Sequence, residues 1–198
     1  SSPNITTEPA NQTACAGNTV SFSVAASGTG LTYQWRKGTV NLSNSGNISG
    51  ANSDTLTINP VNISDIASNY NVVISGSVAP NDTSINVSLA VNTAPNITIE
   101  PTDQAVSAGS SVSFSVTATG SGLTYQWRKG TINLINGETI SGATSSELTI
   151  LPVSISDTAS DYNVVITGTC SPITTSMDAE LSIDITGFNA MNKNKAVS

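Results

Sequence analysis

Apolar and polar residues alternate along several short stretches of the chain, with the period of two that predicts β-strands. Val20, Phe22 and Val24 are separated by serines, and Tyr33 and Trp35 flank a glutamine. No stretch shows the longer apolar spacing of an amphipathic helix. The pattern therefore predicts an all-β protein whose strands turn their apolar faces toward a common core.

The second half of the chain repeats the first half. The sequence Tyr-Gln-Trp-Arg-Lys-Gly occupies residues 33–38 and returns unchanged at residues 125–130. A shift of 92 residues aligns the two halves without a gap, and about 54 of the 92 pairs are identical. Duplication on this scale predicts two domains, 1–92 and 93–184, followed by a linker or tail, 185–198, with no counterpart.

The repeated tryptophan is the centre of the predicted core. Tyr33 and Trp35 lie two residues apart and so share one face of a strand. A buried Trp between two sheets, with strand signals at short intervals, predicts a β-sandwich of about seven strands in each repeat. The predicted core aromatics are Phe22, Tyr33, Trp35 and Tyr70, with Phe114, Tyr125, Trp127 and Tyr162 in the second repeat.

Composition narrows the classes of partner. Charged residues make up 10% of the chain, the net charge is −7 and the pI is about 4.2. Nucleic acid is excluded as a partner because phosphates require clustered Lys and Arg. No apolar run approaches membrane-spanning length and no signal peptide is visible, so we expect no membrane insertion and an interior or C-terminal piece of a processed protein.

The candidate chemistry does not indicate an enzyme. The chain has no histidine and only two cysteines, so we predict no catalytic residue, no cofactor and no metal site. Two carboxylate pairs, Asp157 with Asp161 and Asp178 with Glu180, are expected to be solvated charges. Since eight of the nine aromatic residues occupy predicted core positions, a flat surface for stacking sugars is not expected.

The motifs resemble a known family. Val-Ser-Phe-Ser-Val, Tyr-Gln-Trp-Arg-Lys, Ser-Gly-Ala, Leu-Thr-Ile and Tyr-Asn-Val-Val-Ile, all present in both repeats, are similar to the tandem bacterial immunoglobulin-like domains of secreted multidomain proteins in Bacteroidetes. The resemblance implies two tandem immunoglobulin-like β-sandwiches. Tyr70 and Tyr162 occupy the position of a tyrosine corner. Residues 185–198 resemble the linker that precedes the C-terminal sorting domain of type IX secretion.

The resemblance also implies a role. We expect a non-catalytic spacer or presentation module of a secreted or surface-anchored multidomain bacterial protein, with a polysaccharide-degrading enzyme as the parent. Its partner would then be the catalytic or adhesive domain of the same parent chain. The alternative is a carbohydrate-binding or cell-adhesion module, with polysaccharide as the ligand.

The two cysteines occupy different positions in the two repeats. Cys15 aligns with Ser107, and Cys170 aligns with Val78. We place Cys15 in a turn at the end of domain 1 that points toward domain 2, and Cys170 in a turn at the end of domain 2 that points back. The sequence therefore predicts a Cys15–Cys170 disulfide between the domains; the alternative is two unrelated free thiols.

Overall fold

The structure is a computed structural model that describes residues 1–184. It divides into two compact units, Ser1–Thr93 and a second that begins at Ala94. Each unit consists of β-strands and one short 3₁₀ turn, Ile63–Asp65 in the first and Ile155–Asp157 in the second. The predicted fold class, all-β with two sandwiches, is confirmed.

The first domain contains eleven strand segments. In chain order they are β1 (Asn4–Thr7), β2 (Gln12–Cys15), β3 (Val20–Ser23), β4 (Ala25–Ser27), β5 (Thr32–Lys37), β6 (Val40–Asn41), β7 (Ile48–Ser49), β8 (Thr55–Ile58), β9 (Ala67–Ser75), β10 (Asp82–Thr83) and β11 (Val87–Asn92).

The second domain repeats this order. Its strands are β12 (Asn96–Ile99), β13 (Gln104–Val106), β14 (Val112–Ser115), β15 (Thr117–Thr119), β16 (Thr124–Lys129), β17 (Ile132–Asn133), β18 (Ile140–Ser141), β19 (Glu147–Ile150), β20 (Ala159–Thr167), β21 (Thr174–Thr175) and β22 (Ala179–Ile183).

Two sheets enclose the core of each domain. In domain 1 the larger sheet has the order β2-β11-β9-β5-β6, with β10 paired to β9, and the opposing sheet is β3-β8-β7. The first strand, β1, pairs with β4. All of these pairs are antiparallel except β2 with β11, which run in parallel. Domain 2 has the same strand order and the same parallel pair, β13 with β22.

The strands are shorter and more numerous than the predicted count of about seven. One predicted strand is broken at Val24 into β3 and β4, and a short strand that was not predicted, β10, precedes β11, with residues 84–86 as an interruption between them. The predicted turn at Cys15 is present, since the backbone N–H of Asn18 donates to the backbone oxygen of Cys15 at 3.1 Å, but the strand before it, β2, was not predicted; its last residue, Cys15, lies opposite Asn92. Four residues acquire strand structure there only by pairing with a segment 77 residues away, which a local pattern does not reveal.

The core of each domain is centred on the repeated tryptophan. Trp35 and Trp127 are both 0% exposed. Trp35 lies opposite Val72 on β9, and Val72 is also fully buried. The sandwich interior therefore holds an aliphatic side chain beside the indole, and apolar burial stabilises it.

Candidate functional site

The aromatic residues predicted for the core are placed inside the domains. Phe22 and Tyr70 stack with ring centroids 5.1 Å apart, and Phe114 and Tyr162 repeat this at 5.0 Å. All four rings are buried, and so are the indoles. Tyr33 and Tyr125 are half-buried against the same clusters. Phe188 lies outside the described residues.

Each indole is also hydrogen-bonded. Trp35 Nε1 donates to the backbone oxygen of Ser53 at 2.9 Å, and Trp127 Nε1 donates to that of Ser145 at 2.9 Å. The polar edge of a buried Trp requires such an acceptor. These residues act as structural elements of the fold and are not available as a sugar-stacking surface.

The buried tyrosines form the predicted corners. Tyr70 donates its hydroxyl hydrogen to the backbone oxygen of Asp65 at 2.7 Å, and Tyr162 does the same to Asp157 at 2.6 Å. Burial, with a smaller contribution from the Asp65 charge, raises the pKa of Tyr70 to about 12. Burial likewise raises the pKa of Tyr162 to about 12, with the charges of Asp157 and Asp161 adding to it. Neither phenol ionises near neutral pH, so neither is a candidate acid or base.

Two of the acidic residues considered above have structural partners. The carboxylate of Asp157 accepts a hydrogen bond from the backbone N–H of Ser154 at 2.7 Å and so caps the 3₁₀ turn. The carboxylate of Asp178 accepts one from the side-chain amide of Asn163 at 3.0 Å. Asp178 is exposed, as expected of a solvated charge, and Asp157 is partly exposed. The partner of Asp157 is three residues away in sequence, whereas the partner of Asp178 is brought to it by the fold.

Other kinds of site find no support in the described part of the chain. Among residues 1–184 no group of three His, Cys, Asp or Glu side chains could hold a metal ion. Within the same residues no helix has the length and apolarity needed to cross a membrane.

A polar groove lies on the outer face of the larger sheet in domain 1. Its volume is about 540 Å³, which is within the range of small-molecule sites, about 300–1,000 Å³. It forms where the turn after β5 meets the interruption between β10 and β11. Its lining includes Arg36, three carboxamides (Asn69, Asn71 and Asn86) and hydroxyl side chains, but no acidic residue.

Asn71 organises this groove. It is 7% exposed, and its amide nitrogen donates to the backbone oxygens of Gly38 and Asn69 and to Oδ1 of Asn86, at 3.0, 3.2 and 3.1 Å. Gly38 has a φ of +64°, and a Cβ there would lie 2.9 Å from Nδ2 of Asn69. A side chain at residue 38 would therefore strain the backbone and intrude on the groove.

The groove was not predicted from the sequence, although one signal of it was present. Asn71 interrupts the apolar run of β9 between Tyr70 and Val72, and Asn163 does the same in β20. A carboxamide repeated in the middle of a buried strand indicates that the fold provides it with hydrogen-bond partners.

The corresponding surface of domain 2 has a different charge. Asp161 and Asp178 stand where domain 1 has Asn69 and Asn86. The arginine is the same in both domains, Arg36 in the first and Arg128 in the second. Within the described residues, two buried atoms there have no hydrogen-bond partner, Nε of Arg128 and Oδ1 of Asn163. In domain 1, by contrast, Nε of Arg36 donates to Oδ1 of Asn41 at 3.0 Å.

The two predicted disulfide cysteines lie at defined ends of their own domains. Both cysteines are in the disulfide form. Cys15 ends β2 beside Asn92, the last residue of β11. Cys170 lies two residues after Gly168, where a Cβ would lie 3.1 Å from Cγ of Pro95, near the start of the second domain. Cys170 is 4% exposed, whereas Val78, its counterpart in domain 1, is 49% exposed.

Both repeats match the same sequence family. The family described as "Immunoglobulin domain" matches residues 2–75 and again residues 94–167. No curated protein sequence matches the chain.

Three solved structures with similar folds have low sequence identity to this chain. The I-band fragment I67-I69 from titin has a TM-score of 0.76 at 19% identity over 92% of this chain and 66% of the titin chain. Sidekick-1 immunoglobulin domains 1–4 have a TM-score of 0.69 at 18% identity, over 92% of this chain and 49% of the Sidekick-1 chain. DIP-gamma IG1+IG2 has a TM-score of 0.67 at 19% identity, over 91% of this chain and 97% of the DIP-gamma chain. The chain thus spans less than two thirds of the first two, and at these identities the likeness concerns the fold.

Proposed function

Because the chain belongs to the immunoglobulin domain family, we propose that it is a non-catalytic tandem module that spaces or presents another domain outside the cell. The observation that carries this proposal is the position of the two cysteines. A spacer must fix the orientation of the domains that it joins as well as the distance between them. A covalent link next to the junction would restrict that orientation.

Each cysteine is far from the junction in sequence but lies near the residues of its own domain that adjoin it. Cys15 is level with Asn92, and domain 2 begins at Ala94. Cys170 is two residues from Gly168, which packs on Pro95, the second residue of domain 2. This placement supports a Cys15–Cys170 disulfide that joins the two domains.

The expected effect of this disulfide is on motion at the junction. On the chain-entropy model a loop of this length is worth up to about 5 kcal/mol. Each domain has its own core, however, so the bond restricts the hinge at residues 92–95 more than it stabilises either core. The product is a semi-rigid module.

Peptide mapping tests the pairing directly. Digestion of the unreduced protein should release one disulfide-linked pair of peptides containing Cys15 and Cys170. Thiol titration of the denatured, unreduced protein should find no reactive thiol, and nonreducing electrophoresis should show a monomer. Two reactive thiols per chain, or a disulfide-linked dimer, would end the proposal.

Small-angle scattering tests the consequence. Reduction, or the double substitution C15S/C170S, should broaden the distribution of interdomain distances while the unfolding transition of each domain moves little. An unchanged distance distribution would contradict a role for the bond in rigidity. The single variant C15S serves as a control for effects of the thiol itself.

The finer parts of the proposal concern the parent protein. Immunoglobulin-like domains with a disulfide fit a secreted or surface location, because disulfides persist in oxidising compartments. We propose a bacterial parent of the Bacteroidetes type, with a polysaccharide-degrading or adhesive domain in the same chain as the partner. The type IX linker prediction falls on residues 185–198, outside the described residues. The sequence that flanks this chain in its parent would decide these points.

A second candidate is an adhesion or binding module. The polar groove of domain 1 favours it, and several similar structures are fragments of proteins with tandem immunoglobulin domains, one solved as Dpr11 IG1 bound to DIP-gamma. Pull-down on insoluble cellulose and chitin separates the candidates. Saturable retention favours a binding module, and the absence of retention favours the spacer.

A further inference from the structure

The groove of domain 1 carries one cation and no anion in its lining. Arg36 is half-buried, and its Nε is held by the neutral amide oxygen of Asn41 at 3.0 Å. This bond orients the guanidinium and leaves its two terminal amino groups as the remaining donors. A guanidinium edge with two parallel N–H groups matches a carboxylate in a bidentate arrangement.

The rest of the lining offers paired donors and acceptors. Carboxamides of Asn69, Asn71 and Asn86 stand near the hydroxyls of Thr39 and Thr83. A carboxamide has one acceptor oxygen and two donor hydrogens, so the exposed side chains of Asn69 and Asn86 can bind hydroxyl groups, whereas the amide hydrogens of Asn71 are already used within the groove. Such a lining suits a ligand that carries several hydroxyl groups beside its carboxylate.

Asn71 holds the residues that line the groove in place. Its buried amide nitrogen bonds Gly38, Asn69 and Asn86 together, so the groove is fixed before any ligand binds. Sites of this kind lose little entropy on binding.

We infer that the domain 1 groove binds an acidic saccharide, with the sugar carboxylate on Arg36 and the ring hydroxyls on the asparagine carboxamides. The inference is independent of the spacing role, since a spacer can also carry a binding site. It also requires no exposed aromatic ring.

An acidic peptide fits the groove less well. Peptides bind to sheets mainly through an open strand edge. At the interruption between β10 and β11 the backbone N–H groups are already used: that of Ser84 donates to the backbone oxygen of Val72, and that of Ile85 donates to the carboxylate of Glu8, both at 3.0 Å. The available groups are side-chain donors and acceptors.

Domain 2 provides a matched control within the same chain. On its equivalent surface Asp161 and Asp178 stand at the positions of Asn69 and Asn86, so two carboxylates accompany the one arginine, Arg128. A carboxylate ligand would be repelled there by like charges. Binding is therefore expected in domain 1 alone.

The primary experiment is a titration of the whole chain with trigalacturonate, followed by ¹H–¹⁵N NMR at about 0.15 M salt, where surface charges are screened. Resonances of Gly38, Asn71 and Asn86 should shift, and those of Gly130 and Asn163 should not. Shifts of equal size in both domains, or none at millimolar ligand, would overturn the inference.

Two further ligands identify the chemistry. The neutral methyl ester of trigalacturonate should bind at least about tenfold more weakly, since a charge-assisted hydrogen bond is lost. Acetate should also bind at least about tenfold more weakly, because it has no hydroxyl groups. Equal binding of the ester would indicate a neutral sugar site, equal binding of acetate a simple anion site, and equal binding of a triglutamate peptide a peptide site; each of these would overturn the assignment.

Substitutions locate the ligand. Arg36→Gln should weaken trigalacturonate binding about tenfold or more, and the control Arg128→Gln should leave it unchanged. The double variant N69D/N86D, which gives domain 1 the charges of domain 2, should weaken it at least as much. Unfolding curves check that each variant is folded. Full binding by Arg36→Gln, or by folded N69D/N86D, would refute the site.

Discussion

The two domains have nearly the same interior and different outer faces. The ring centroids of Phe22 and Trp35 are 6.2 Å apart, and the same distance separates Phe114 from Trp127. On the outer face of the larger sheet, asparagines in domain 1 are replaced by Asp161 and Asp178 in domain 2. The interior of a sandwich is constrained by close packing, whereas a surface residue can change its charge with little effect on the fold.

At the edges of the domains the contacts are conserved although the residues that make them differ. A side-chain oxygen accepts the backbone N–H of Ser88 in domain 1 and of Glu180 in domain 2, both at 2.8 Å. The oxygen belongs to Asn11 in the first case and to Asp103 in the second. The hydrogen bond is retained while its chemical group differs, so geometry is the property that the fold requires there.

The largest expected effect comes from removing an indole. Trp35→Ala should cost domain 1 about 3–5 kcal/mol, which is comparable to the whole stability of a small domain. Denaturant unfolding in the presence of a reductant, followed by the fluorescence of the remaining Trp127, measures whether domain 2 is affected. The domain 2 transition should be unchanged. Trp127→Ala should instead destabilise domain 2 and leave the domain 1 transition, followed by Trp35, unchanged. A matching shift of the domain 2 transition would show that the domains do not unfold independently.

A smaller effect is expected from the tyrosine corners. Tyr70→Phe removes the hydrogen bond to the backbone oxygen of Asp65 and should cost about 1 kcal/mol near neutral pH. Tyr162→Phe should have the same effect on domain 2, because the two corners have the same geometry. A loss confined to one domain would break the equivalence of the interiors.

The same phenols predict how stability depends on pH. The pKa of Tyr70 is raised to about 12 in the folded state from an ordinary value of 10, so the unfolded chain releases this proton first. The stabilisation is fully present below pH 10 and is lost as the pH rises toward 12. Urea unfolding at pH 8 and pH 11 should show a smaller alkaline loss for Tyr70→Phe than for the unsubstituted protein. Equal losses would mean that other groups control the alkaline limit.

The smallest effect is expected at the edge. Asn11→Asp gives domain 1 the acceptor that domain 2 already has, and should change the free energy of unfolding by less than about 0.5 kcal/mol. Asn11→Ala, which leaves the N–H of Ser88 without its acceptor, should cost more. Thermal unfolding of the two variants compares them. If Asn11→Asp were as destabilising as Asn11→Ala, the amide itself would be required.

The sequence predicted those features that depend on local period and on the repeat. Phe22 and Trp35 lie in alternating stretches, and an alternating stretch has one face to bury whatever its neighbours are. Their burial could therefore be predicted, as could the sandwich.

Features that depend on distant pairing were not predicted. The residues of β2 become a strand because β11 lies beside them, and the groove exists because the turn at Gly38 meets the interruption at residues 84–86. The function of Asn71 depends on both segments. Only its polar character within β9, repeated at Asn163, was visible in the sequence.

The parallel pairing of β2 with β11 has a mechanical consequence. One strand lies near the start of domain 1 and the other ends it, and both run toward the end that holds Cys15 and Asn92. Once the disulfide at Cys15 is reduced, a pull on the two termini of the domain would drive these strands past each other in shear. The hydrogen bonds between them lie across the direction of the pull and would share the load, so they would break together and not one at a time. Resistance to tension would then depend on this short ladder more than on the size of the core.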